Sequence, residues 1–126
     1  MLVPILKQGD YLIASIQAAL SDTDLLRLRD DVVEQVGRYR SRGVIIDVTV
    51  LDVMDSFAVR TLSTLAQMIT LRGAETVIVG IQPDVAFAMV QLGLTLSGVA
   101  TALDLEEGLA YLNANARAKG RRPGGP

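Results

Sequence analysis

Two runs rich in β-branched apolar residues, Gly43-Val44-Ile45-Ile46-Asp47-Val48-Thr49-Val50-Leu51-Asp52 and Glu75-Thr76-Val77-Ile78-Val79-Gly80-Ile81, flank a segment from Ser56 to Arg72 whose apolar residues recur at helical spacing. Strands that show little alternation of polar with apolar residues are covered on both faces, and a strand, helix, strand order of this length is how parallel neighbours are joined. The pair restricts the chain to an α/β architecture before any other residue is considered.

The remaining segments extend that unit. Val3 to Leu6 and Tyr11 to Ile16 are short apolar stretches separated by Lys7-Gln8-Gly9-Asp10, the composition of a hairpin turn, and Pro4 places the first of them at a sheet edge because it has no N–H for a ladder. Between Ser21 and Gly43, residues Leu25, Leu28, Val32, Val36 and Tyr39 share one helical face. Ser21 with Asp24 forms a capping-box pattern, and Gly43 is placed as the stop past the helix end. Gly73 is a stop for the Ser56 helix. Pro83-Asp84 opens a short helix ending at Gly93, Gly98 to Asp104 predicts a last short strand, and Asp104 with Glu107 starts a helix to about Asn113. The predicted order is β-β-α-β-α-β-α-β-α. This is a single α/β domain over residues 1–114, with a mixed, mainly parallel sheet, an N-terminal antiparallel hairpin and about four helices, followed by a flexible basic Gly/Pro-rich tail over 115–126.

Composition narrows the chemistry. At 126 residues the chain can bury roughly two-thirds of its unfolded surface in one core. It contains no cysteine and no histidine, which removes disulfides, thiolate nucleophiles, Cys/His zinc sites and histidine-dependent triads together. Neither GxGxxG nor GxxxxGK[ST] occurs, so no phosphate-cradling loop is indicated and no cofactor is expected. Of 12 basic residues, Arg117, Lys119, Arg121 and Arg122 lie in the last ten, leaving 8 against 14 acids, net −6, elsewhere. An acidic body argues against nucleic acid as a partner. With no signal-like N-terminus and no apolar window of membrane-spanning length, the expectation is a cytoplasmic protein without a membrane partner.

The segment Val50-Leu51-Asp52-Val53-Met54-Asp55-Ser56-Phe57-Ala58-Val59-Arg60-Thr61-Leu62 carries the remaining signal. Asp47, Asp52 and Asp55 gather near a strand end, as a metal site or a phosphoaspartyl receiver would require. A receiver also needs an acidic pair after its first strand and a late lysine, and neither is present; helix-entry and turn chemistry accounts for these acids as well. Ser56 reads as a helix N-cap on propensity alone. Asp55 can fill that role, however, which leaves Ser56 in the first turn with an exposed hydroxyl, Phe57 beside it and Arg60 one turn on, able to pair with Asp55 or with an anion at Ser56. Thr61 and Ser63 sit inside the helix and are poorer acceptors. Met54 is read as a contact residue, and Phe57 as either contact or core.

The stretch from Asp47 to Leu62 resembles the phosphorylation segment of STAS-domain anti-anti-sigma factors, in which a strand ending in aspartate leads through a short loop to an Asp-Ser pair opening a helix. Many members carry D-S-S-G there; this chain has Asp55-Ser56-Phe57-Ala58, and with Val32 to Phe57 it looks most like the RsbS-type scaffold of the bacterial stressosome. The resemblance runs from about residue 3 to 113. It implies a non-catalytic protein phosphorylated on Ser56 by an RsbT-type serine kinase, with Asp52, Met54, Asp55, Phe57 and Arg60 at the partner surface. It also implies self-association, co-assembly with RsbR-type STAS paralogues, release of the kinase on phosphorylation and reversal by a serine phosphatase. The alternatives are a free anti-sigma-factor antagonist in a binary complex and, further off, a small enzyme or ligand-binding module using the three aspartates.

Overall fold

The computed structural model describes residues 2–96 and 98–118. The elements follow the predicted order: β1 (Ile5–Gln8), β2 (Tyr11–Ser15), α1 (Asp22–Tyr39), β3 (Gly43–Asp47), α2 (Ser56–Leu71), β4 (Glu75–Val79), α3 (Pro83–Gln91), β5 (Ala100–Ala102) and α4 (Leu105–Ala118). The five strands lie in sequence order across one sheet, β1 antiparallel to β2 and the others parallel. A sheet that grows in one direction through crossovers of one hand carries the connecting helices on one face.

Register and burial show this arrangement. Ile13, Ile45 and Val77 are aligned across β2, β3 and β4, and with Val79 and Leu112 of α4 they form a small core on one face. The alternate residues Leu12, Ala14, Val44, Ile46 and Ile78 point the other way, into a larger core with Leu28, Val32 and Val36 of α1, Leu62, Leu65 and Ile69 of α2, and Val85 and Met89 of α3. β3 is therefore apolar on both sides because helices cover both sides. Each of these fully buried branched side chains contributes about 1.5–3 kcal/mol relative to exposure, which fixes the register of α2 on the sheet.

Four expectations require correction. Gly43 does not end α1; Arg40 does, in the left-handed region at φ 51, while Gly43 opens β3 where a Cβ would lie 2.8 Å from Leu112 Cδ1 and 3.1 Å from Tyr11 Cδ1. Tyr39 is exposed at 42% rather than part of the buried face, and its ring lies 5.9 Å from Lys7 Nζ. β3 stops at Asp47 instead of running on toward Asp52, since the Asp47 carboxylate turns the chain by accepting from Thr49. α4 continues past Asn113 and past the expected tail boundary to Ala118: Tyr11 donates to Asn113 Oδ1 (2.6 Å) and Asn115 bonds Glu75, holding the extra turn on the sheet. The rest of the expected tail, 119–126, lies outside the described residues.

Candidate functional site

The segment 48–55 lies past the carboxyl end of β3, at the rim where parallel sheets commonly place their binding chemistry. Asp47 Oδ1 accepts from Thr49 N–H (2.9 Å) and from the Thr49 hydroxyl (2.6 Å). Thr49 in turn is held from the next crossover, where Gln82 Nε2 donates to its carbonyl (2.7 Å). Gly80, at φ +81, permits this approach, since a Cβ there would collide with the Thr49 side chain. The loop is thus tied at its base and open at its crest.

The crest is apolar. Val50 and Val53 are 58% and 74% exposed, and Val53 borders a cavity of about 180 Å³ with Ala19, Leu20, Leu25, Leu51, Asp55 and Ala58. The sequence pattern points to Met54 instead of Val53. Met54 is only 6% exposed and packs into the large core, so it supports the loop from beneath instead of standing on its surface. The signal that separates them is the apolar spacing of three through the loop, Val48, Leu51 and Met54, whose side chains are the ones that face the core.

Asp55 is the N-cap of α2: its backbone is extended and its Oδ1 accepts from Ala58 N–H at 2.8 Å. Ser56 is consequently the first helical residue. It is half-buried rather than fully exposed, and its hydroxyl makes no hydrogen bond among the described residues. Asp52 is exposed on the loop. Phe57 is half-buried and Arg60 exposed; both line a groove of about 310 Å³ between α1 and α2 with Leu26, Arg29, Thr61 and Thr64. Thr61 is 7% exposed, and Ser63, half-buried like Ser56, lies inside the helix with its Oγ 3.4 Å from the Thr95 carbonyl.

The three aspartates considered together in the sequence have separate tasks: Asp47 turns the loop, Asp55 caps the helix and Asp52 faces solvent. Among the described residues no group of three or more His, Cys, Asp or Glu side chains is arranged to hold a metal ion, and no helix is long and apolar enough to cross a membrane.

The profile of the STAS domain matches residues 3–108. The chain belongs to the STAS-domain family. Among solved STAS structures, a serine-to-glutamate variant of RsbS from Moorella thermoacetica is 35% identical, covers 91% of this chain and 97% of its own, and superposes with a TM-score of 0.80. A chain from the molecular architecture of the stressosome, a signal integration and transduction hub, is 36% identical over 90% of this chain and 99% of its own, with a TM-score of 0.78. The RsbT co-antagonist protein RsbRA of Bacillus subtilis (strain 168) is 31% identical over 83 residues, 66% of this chain and 30% of that protein. This STAS chain thus spans less than a third of the curated relatives it matches. Its fold is that of the stressosome RsbS and anti-sigma antagonist group.

Proposed function

We propose that the protein is a non-catalytic stressosome scaffold and antagonist that holds an RsbT-type serine kinase and releases it when Ser56 and partner STAS paralogues are phosphorylated. The observation that carries this reading is the serine one residue inside a helix whose cap is already filled by Asp55, so that its hydroxyl is not consumed by structure. Likeness along nearly the whole chain to an RsbS structure, and over 83 residues to a protein named as an RsbT co-antagonist, supports the partner assignment. RsbR-type paralogues would co-assemble with it, a serine phosphatase would restore the unmodified state, and its place of action would be the cytoplasm.

The physics of release follows from the rim. A partner packed on Val50, Val53 and Phe57 removes water from the surface around Ser56. Phosphorylation then adds about −1.5 to −2 charge beside Asp55 and Asp52. Burying that charge without an adequate partner costs about 2–5 kcal/mol, one to several decades in affinity. The helix start itself tolerates the anion, because unbonded first-turn N–H groups and the dipole favour negative charge there. The partner leaves and the domain remains folded.

The test is incubation with the cognate switch kinase and ATP, with the modified residue mapped by mass spectrometry. Phosphate on Ser56 is expected, and phosphate confined to other residues refutes the reading. Size-exclusion chromatography with a sensor paralogue separates the scaffold from the binary antagonist: a large complex supports the former, and a protein that never enlarges supports the latter.

A further inference from the structure

We propose that Arg60 is the built-in counter-cation of Ser56, captured by the phosphate when the serine is modified and thereby withdrawn from the α1–α2 groove. The proposal rests on the reading of Ser56 as the modified residue and adds how the fold responds to the modification.

The helix start cannot neutralise the new charge by itself. Its third amide, Ala58 N–H, is already occupied by the Asp55 carboxylate at 2.8 Å, so a phosphate on Ser56 arrives next to an anion seated in the favoured position. Asp52 on the loop adds a second acid. A cation is needed, and the arginines differ in availability. Arg29, the other cation of the groove, holds Asp30 at 2.9 Å; Arg38 holds Glu34 at 2.6 Å, and Arg42 lies 4.0 Å from Asp10. No carboxylate among the described residues lies within ion-pair distance of Arg60.

Position favours the same residue. Side chains four apart on a helix are neighbours, roughly 5–6 Å between Cβ atoms. The Cα–Cβ bonds tilt toward the helix N-terminus, so the stem of Arg60 is directed back toward Ser56. The guanidinium fork then matches two phosphate oxygens. In the unmodified protein the same side chain lines the groove with Leu26, Arg29, Phe57, Thr61 and Thr64, on the other flank of α2 from the Val53 cavity. Modification therefore changes two surfaces: the rim gains a dianion, and the groove loses one of its two cations.

The experiment uses the full chain with phosphoserine genetically encoded at position 56 and follows its second ionisation by ³¹P NMR. A neighbouring cation favours the dianion, so the protein with Arg60 should titrate below the Arg60→Gln variant, by roughly 0.15–0.4 pH unit for an exposed helical pair around a free value near 6. Arg60→Lys should fall between them, and the difference should shrink in about 1 M salt. On phosphorylation the amide resonances of Leu26, Thr61 and Thr64 should shift in the parent protein and much less in Arg60→Gln. Superimposable titrations of parent and Arg60→Gln overturn the capture. Because the phosphate is installed without a kinase, that result is independent of whether the switch kinase modifies Ser56, which is the test of the proposed function.

Discussion

The chain starts two helices with a serine near the boundary, and the two serines have different fates. Ser21 is the cap of α1: Asp24 N–H donates to its hydroxyl (3.1 Å) and Ser21 N–H donates back to the Asp24 carboxylate (3.3 Å), closing a reciprocal box. Ser56 lies one position further in, after Asp55 has taken the cap, and nothing reciprocates. A displacement of one residue separates a hydroxyl that is structure from a hydroxyl that is available. Both helix starts are closed by a side chain three residues before the amide it caps, but the loop leading into α2 has in addition a brace from Gln82, 33 residues beyond Thr49.

The sharpest way to break this contrast is to remove each hydroxyl. Ser56→Ala should abolish phosphate incorporation by the switch kinase, while chemical denaturation stays within about 0.5 kcal/mol of the parent. Ser21→Ala should leave incorporation intact. A Ser56→Ala protein that still takes up phosphate at the parental rate would place the acceptor elsewhere. Next in size is Gly80→Ala, which puts a side chain at φ +81 and against Thr49. It should cost about 2 kcal/mol or more, through left-handed strain and displacement of the loop base, measured by urea unfolding.

Much of this architecture is legible in the order of residues alone. The nine elements follow from periodicity together with turn and cap residues: the central strands and the helices with one apolar face leave unlike patterns, and Pro4, Lys7-Gln8-Gly9-Asp10, Pro83-Asp84 and Asp104 with Glu107 mark the rest. Ser56 and Asp55 stand out for the same reason: they fall where one pattern changes to the other. What escapes such a reading is non-local. Nothing near Gln82 in the sequence indicates that it holds the Thr49 carbonyl, and nothing near Gly43 indicates that Leu112 leaves no room for a side chain. Met54 misleads because its burial is set by the strands and helices of the large core against which it packs, not by its neighbours in the loop. The end of α4 misleads because the basic, Gly/Pro-rich composition that follows reads as a tail, whereas Asn113 and Asn115 bond to Tyr11 and Glu75 on the sheet.

The two caps themselves come next in magnitude. Ser21→Ala and Asp55→Ala should each lower stability by about 1 kcal/mol, the usual worth of an N-cap. They should differ in consequence. Loss of the Ser21 cap frays the start of α1 but frees no amide on the helix that carries Ser56. In Asp55→Ala the cap vacancy adjoins Ser56, and the amide of Ala58 becomes free to receive the phosphate; kinase release on phosphorylation should then be weaker than in the parent, as measured by pull-down of kinase before and after ATP. Equal release in the two variants would separate capping from switching.

The smallest expected effect tests the long-range brace. Gln82→Ala removes the donor to the Thr49 carbonyl, but Thr49 is exposed and water can replace the lost partner, so the net cost should be about 0.5–1 kcal/mol. The location of the effect is more telling than its size. α1 is closed by its own box and does not depend on Gln82, whereas the loop before α2 loses one of the few contacts that anchor its base. Hydrogen exchange should therefore quicken at the amides of residues 49–58 and stay unchanged at residues 22–25. Uniform quickening across both helix starts would mean that Gln82 supports the domain as a whole; quickening confined to the start of α2 would show that the serine is presented from a platform built by the following crossover.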